Sequence, residues 1–144
     1  MNPEDLPAVQ ALEAQSFKNP WSADLLRREL VHQWSTILLA EEPDGKGRMR
    51  LLGCLIFWLV HDELHILNVA VDPTHRRRGV ARALIELALQ KGRAHRCTLA
   101  TLEVRRGNTA AIELYRAFGF RQVGVRPNYY VDEGEDAIVM NAEL

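Results

Sequence analysis

The stretch from Leu67 to Leu84, Leu-Asn-Val-Ala-Val-Asp-Pro-Thr-His-Arg-Arg-Arg-Gly-Val-Ala-Arg-Ala-Leu, constrains the fold more than any other part of the chain. It opens as an apolar, β-branched run and breaks at Asp72-Pro73, where proline can neither donate to a ladder nor leave the residue before it unrestricted. From Val80 the apolar residues recur at helical spacing, with Ala81, Leu84, Ile85, Ala88 and Leu89 on one face. A strand that passes through a short loop into such a helix predicts a helical crossover between parallel strands. The same junction turns backbone N–H groups outward at the positive end of a helix, a ready seat for an anion such as a pyrophosphate. Gly79 lets the backbone approach closely, Ala81 keeps the next turn small, and Arg76, Arg77 and Arg78 add positive charge. Taken alone, the pattern is equally that of an ordinary helix start beside solvated arginines. A dinucleotide site would need G-x-G-x-x-G after the first strand, and a P-loop would need G-x-x-x-x-G-K-[ST]; neither is present.

The remaining elements follow from periodicity and turn chemistry. Leu6, Val9, Leu12 and Phe17 place a helix over residues 4–17, and Ser22 caps a second one carrying Leu25, Leu26 and Leu30. Strands are predicted at residues 36–40, 49–60 and 64–71, with a loop at Pro43-Asp-Gly-Lys-Gly47 and a hairpin turn at His61-Asp62. After the crossover helix, to about His95, come a strand at 99–104, a short helix closing at Gly119, and strands near 120–125 and 137–141. The predicted order is α-α-β-β-β-α-β-α-β-β, a mixed α/β class with a mostly antiparallel sheet flanked by helices. At 144 residues, without repeats or a linker, the chain reads as a single domain over residues 1–144.

Composition narrows the partners. A net charge of -1 argues against wholesale nucleic-acid binding, and no apolar run approaches the ~20 residues that cross a bilayer. The acidic start, Met1-Asn-Pro-Glu-Asp, lacks the features of a secretory signal, and Cys54 and Cys97 lie inside apolar runs, so the expectation is a cytoplasmic chain with two reduced thiols. His61-Asp-Glu-Leu-His65 resembles a zinc motif only in letters, since it falls on a hairpin rather than a helix, and no metal is expected.

Arg76-Arg-Arg-Gly-Val-Ala81 matches the [QR]-x-x-G-x-[GA] pattern, and with it the chain resembles the GCN5-related N-acetyltransferase (GNAT) superfamily. Further stretches extend the likeness over the whole chain: Asn19-Pro-Trp-Ser22, Leu102-Glu-Val-Arg105, Asn108 to Phe120, Arg126-Pro-Asn-Tyr-Tyr-Val131 and Glu135 to Met140. The loop motif is common to the superfamily; the Asn-Tyr-Tyr and Glu-Asp-Ala segments are far more particular and resemble those of enzymes that acetylate the N-terminal alanine of a ribosomal protein. The resemblance implies acetyl-CoA as donor, lodged in a V-shaped gap between the two central strands. Within it the backbone of Val69, Ala70 and Val71 would pair with the pantetheine arm, and Arg77, Arg78, Gly79, Val80, Ala81 and Arg82 would cradle the pyrophosphate. Asn108 would lie near the reactive end. Glu103 matches the family's general base and Tyr115 its general acid. Pro127 stands where a basic residue is expected beside Arg126.

Acetyl transfer needs a neutral amine, and an α-amino group with a pKa of ~7.7–8.0 is mostly protonated at neutral pH, so a base such as Glu103 is required. A phenol such as Tyr115 suits the departing sulfur, and strand backbone near Val71 suits the oxyanion. Tyr129 and Tyr130 are expected on a loop, as one lip of a peptide slot, with Trp21 from the other side; strand packing and a hydrophobic staple are the plainer alternatives. Asp132, Glu133, Glu135 and Asp136 could attract a positive N-terminus or form a solvated turn. The acceptor is expected to be the N-terminal segment of a ribosomal protein, met by a monomer or weak homodimer. A small-molecule or lysine acetyltransferase and a non-catalytic acyl-CoA-binding module are the alternatives.

Overall fold

The computed structural model describes residues 1–17, 20–75, 79–130 and 134–144, apart from the side chain of Asn128. Arg76, Arg77, Arg78, Asp132 and Glu133, as well as Asn19 of the Asn-Pro-Trp-Ser stretch, lie outside the described residues.

A short 3-10 turn leads into α1 (Leu6–Ser16), followed by α2 (Ala23–Val31), β1 (Ser35–Pro43), β2 (Met49–Val60), β3 (Glu63–Val71), α3 (Val80–Ala94), β4 (Leu99–Arg105), α4 (Thr109–Ala117), β5 (Arg121–Tyr130) and β6 (Glu135–Glu143). This is the element order expected from sequence. The strands follow the order β1-β2-β3-β4-β6-β5. β3 and β4, joined through α3, are parallel, whereas β1/β2, β4/β6 and β5/β6 are antiparallel. Among the described residues no helix is long and apolar enough to cross a membrane.

The chain forms two compact units, one of Met1–Trp58 with Asn68–Ala88 and the other of Leu59–Leu67 with Leu89–Leu144. In the first, α1 buries Val9 and Leu12, α2 buries Leu26, and β2 buries Leu55, Ile56 and Phe57. The Ser22 hydroxyl accepts the Leu25 N–H at 3.2 Å, the expected cap, so α2 starts where its stripe does. Gly53 on β2 is small for a reason: a Cβ there would stand 2.9 Å from both the Ala70 carbonyl and Val80 Cγ1, so only glycine lets the start of α3 settle against the strand. In the second unit, Leu64, Ala100, Leu102, Phe120, Ile138 and Met140 are buried. Along β4 buried residues alternate with less buried ones, and Glu103 falls on the opposite face from Leu102 and Val104.

Two boundaries differ from the sequence reading by three residues or more. β1 continues through Glu41-Glu-Pro43 because its ladder with β2 runs to Pro43↔Met49 past a bulge at Ala40/Glu41, and backbone pairing carries polar residues that hydrophobic patterning does not reveal. β5 runs through Tyr130, which corrects the expectation that Tyr129 and Tyr130 lie on a loop. Its register shifts between Arg126 and Tyr130, and β5 is an edge strand, the setting in which a proline such as Pro127 is tolerated.

Candidate active site

In the second unit β4 pairs in parallel with β3 from Glu63↔Leu99 to Ile66↔Leu102, and Glu103 is the first residue of β4 past the last of these pairs. On its other edge Glu103 stays in register with Val139 of β6. Its carboxylate lies 3.2 Å from Arg126 Nε on β5 and accepts the Tyr129 hydroxyl. Burial, then the Glu103 charge and this hydrogen bond, push the Tyr129 phenol above its ordinary value. Tyr129 meets Tyr130 edge to face at 5.1 Å, and the Arg105 guanidinium lies 3.8 Å from the centre of the Tyr130 ring. Glu135 completes the network: one oxygen is 3.5 Å from Arg105 and the other accepts the Gly107 N–H at 3.0 Å. Asp136 lies 3.4 Å from Arg106. The two described acidic residues of the β5–β6 hairpin are thus engaged in ion pairs with the end of β4.

Tyr115 occupies α4, buried, edge to face with Phe120 at 5.8 Å. Burial, with a smaller contribution from Tyr130, pushes its phenol up to about 12. Asn108 is the N-cap of α4: its side-chain oxygen accepts the Ala111 N–H at 3.3 Å. Asparagine is a strong N-cap, so helix initiation accounts for this residue locally.

In the first unit the crossover loop ends at Gly79, φ 78, a left-handed conformation that glycine alone adopts without steric cost. Among the described residues the backbone bonding of α3 opens with the Ala83 N–H, which donates to Gly79 C=O at 3.0 Å. The amides of Val80 and Ala81 come before it, on the turn where an α-helix offers no intrahelical carbonyl. Arg82 is exposed on that same turn. Just past β3, Asp72 donates its N–H to Leu52 of β2 at 2.7 Å. Ala70 also lies against β2, its carbonyl oxygen 2.9 Å from where a Cβ on Gly53 would stand. The turn at Pro73–His75 is braced by His75, which is buried, with Nε2 3.4 Å from Glu42 and Nδ1 2.8 Å from the Thr74 hydroxyl.

Residues 6–120 match the family described as the acetyltransferase (GNAT) family. The chain belongs to the GNAT acetyltransferases. Among its relatives, the [ribosomal protein bS18]-alanine N-acetyltransferase of Escherichia coli K12 is 35% identical over 94% of this chain and 89% of its own. The crystal structure of the ribosomal-protein-S18-alanine N-acetyltransferase from E. coli superposes with a TM-score of 0.87 and 32% identity, covering 99% of this chain and 90% of that one. A chain of the NatC complex bound to Gag peptide and CoA gives 0.83 and 26%, covering 99% and 92%.

As a GNAT acetyltransferase the protein is an acetyl-CoA-dependent enzyme with the mixed α/β fold of that family. The residues present fit the donor: a glycine held at positive φ and the first-turn amides of α3, the helix that follows β3. Among the described residues no cluster of three or more His, Cys, Asp or Glu could hold a metal ion, and His65 is instead 3.0 Å from Glu63.

The structure brings Glu103, Tyr129 and Tyr130 together, with Tyr130 electrostatically coupled to Tyr115. Trp21 belongs to the other unit. Sequence reasoning passed over Arg126 and Arg105 as partners of Glu103 and Tyr130, because cross-strand neighbours depend on register. It also passed over Glu13, although Leu6, Val9 and Glu13 fall on one helical face, a signal that this glutamate points inward.

Proposed function

We propose that this protein is an N-terminal acetyltransferase of the RimI type, transferring acetyl from acetyl-CoA to the α-amino group of an N-terminal alanine on a ribosomal protein. One observation carries the reading: the near full-length likeness to the E. coli [ribosomal protein bS18]-alanine N-acetyltransferase, 35% identical over 94% of this chain. It acts as a single domain over residues 1–144, in the cytoplasm, as a monomer or weak homodimer.

In this reading bound acetyl-CoA supplies an acetyl group activated as a thioester. The Val69–Val71 backbone binds the pantetheine arm, and the segment from Arg77 to Arg82 around Gly79 receives the diphosphate. Glu103 takes the proton that an α-ammonium group must lose before its nitrogen can attack, directly or through one water. Arg126 and Tyr129 hold the carboxylate that does so. Donors near Val71 meet the charge that develops on the carbonyl oxygen. Tyr115, whose phenol is pushed up to about 12, keeps its proton at neutral pH and offers it as a hydrogen bond where the sulfur departs. That value lies well above an ordinary thiol at ~8.5, so Tyr115 stabilises the leaving sulfur rather than surrendering its proton to it. Asn108 secures the start of α4, the helix that carries Tyr115. Trp21 in the first unit, and Tyr129 and Tyr130 in the second, are the residues assigned to contact the acceptor.

The test is incubation with acetyl-CoA and a peptide bearing the N-terminal sequence of the ribosomal protein, beside an Nα-blocked lysine peptide and a polyamine, read by mass spectrometry. The expected product carries one acetyl group on the alanine α-nitrogen. Acetylation confined to lysine or to the polyamine would overturn the acceptor, and binding of acetyl-CoA without any turnover would overturn the enzyme.

A further inference from the structure

The first unit holds a carboxylate that the chemistry above does not use. Glu13 on α1 is completely buried. Its two oxygens accept the side-chain N–H groups of Asn68 at 2.6 and 2.8 Å, and the carboxylate also accepts the backbone N–H of Trp21. The Cys54 sulfur of β2 lies 4.0 Å away. Burying a carboxylate is costly, and burial, offset in part by these donors, raises the pKa of Glu13. A leucine or methionine would fill the same space at less cost, so the acceptor oxygens need a reason. They join two segments distant in sequence. Trp21 lies in the connection between α1 and α2, and Asn68 immediately precedes Val69–Val71 on β3.

We infer that Glu13 is a positioning residue for the acceptor peptide: it fixes the backbone at Trp21 against the β3 residue that precedes the acetyl-CoA-binding segment. The inference rests on the acceptor reading above, in which Trp21 contacts the peptide. Glu13 touches neither substrate; it acts through the Trp21 N–H on one side and the Asn68 amide on the other. A hydrogen bond to a main-chain amide sets the position of a loop whatever its side chains, which suits a device for holding an aromatic contact in register.

The test uses E13M, which keeps the volume and removes the acceptor, E13Q, which keeps an acceptor for the Trp21 N–H, and the double variant E13M/N68L, which replaces both polar partners by apolar ones in case E13M alone fails to fold. With the N-terminal alanine peptide, E13M or the double variant is expected to raise the peptide KM about tenfold while the acetyl-CoA KM changes less than about twofold. E13Q should stay within about threefold of wild type. Hydrogen exchange at the Trp21 amide, measured without substrates, should be slow in wild type and E13Q and fast in the variants lacking the acceptor. A purely structural Glu13 would instead lower the melting temperature and the active fraction and leave the peptide KM alone; that result, or a Trp21 amide still protected in E13M/N68L, overturns the inference. Wild-type protein that acetylates no N-terminal peptide overturns the acceptor reading and the clamp with it, whereas wild-type turnover with an unaltered peptide KM in the variants overturns the clamp alone.

Discussion

At Glu103 a carboxylate on a strand is held on one side by a guanidinium and on the other by a phenol, and both partners come from β5. In the proposed chemistry E103Q lowers kcat by about 10²–10⁴, the usual worth of a positioned base, with the acetyl-CoA KM little changed. R126A removes a positioning contact, and its deficit should be smaller and should be partly restored in R126K. Y115F is expected to lower kcat as well. The two residues separate by pH: with its phenol pushed up to about 12, Tyr115 stays protonated throughout an ordinary assay range, so a plot of kcat against pH should show no descending limb from this group below pH ~10. A limb near pH 9 that Y115F abolishes would refute that assignment. The identities of Glu103 and Tyr115 were legible in the sequence through the family's motifs. Their partners were not, because Arg126 stands 23 positions from Glu103 and meets it only through the register that β6 imposes on its two neighbours.

Among the elements, the junction from β3 to α3 was the most legible, since a proline, a glycine and a change of period mark its ends in the chain itself. Gly79, at φ 78, is where that junction is most sensitive. G79A puts a Cβ on a left-handed residue at a cost of about 1–2 kcal/mol and disturbs the amides that follow, so the acetyl-CoA KM should rise while E103-dependent chemistry, read as the kcat ratio of wild type to E103Q, persists. Isothermal titration with coenzyme A checks the binding half of this prediction directly; unchanged affinity in G79A would remove the loop from the donor site. β5 was the least legible element. Its first half is predicted as a strand near 120–125, but beyond it Pro127 and its polar neighbours give no strand pattern, and that second half exists because β6 supplies a ladder for it. Propensity is weak evidence at an edge, where pairing decides.

Stability of the whole molecule carries a pH signature of its own. Burial, with the nearby Glu13 charge adding to it, raises the Cys54 thiol from 9.0 to about 12, and burial raises the Tyr115 phenol from 10.0 to about 12. Below about pH 8 both groups are protonated folded or unfolded, and they add no pH dependence. Above that the unfolded chain releases these protons first, so stability falls as pH rises from about 8 towards 12, by an amount on the order of 2–4 kcal/mol per group at the top of the range. Melting temperatures measured from pH 8 to 11 should therefore decline, and C54A should flatten the early part of that decline at the price of a small cavity. An equal slope in C54A would show that other groups carry the alkaline transition.

What the sequence determined by itself is everything written in local patterns: two leading helices, a hairpin, a crossover helix with its glycine, the order of ten elements, and through the motifs of Arg76–Ala81, Asn108–Phe120 and Asn128–Tyr130 the family. Periodicity and turn residues are properties of neighbours in the chain, so a single sequence records them. Only the tertiary structure decided that Glu103 meets Arg126 and Tyr129, that Arg105 covers Tyr130, and that Glu13 ties Trp21 to Asn68. Those contacts join residues far apart in the chain, and strand register and buried hydrogen bonding, which pair such residues, leave almost no trace in the local order of side chains.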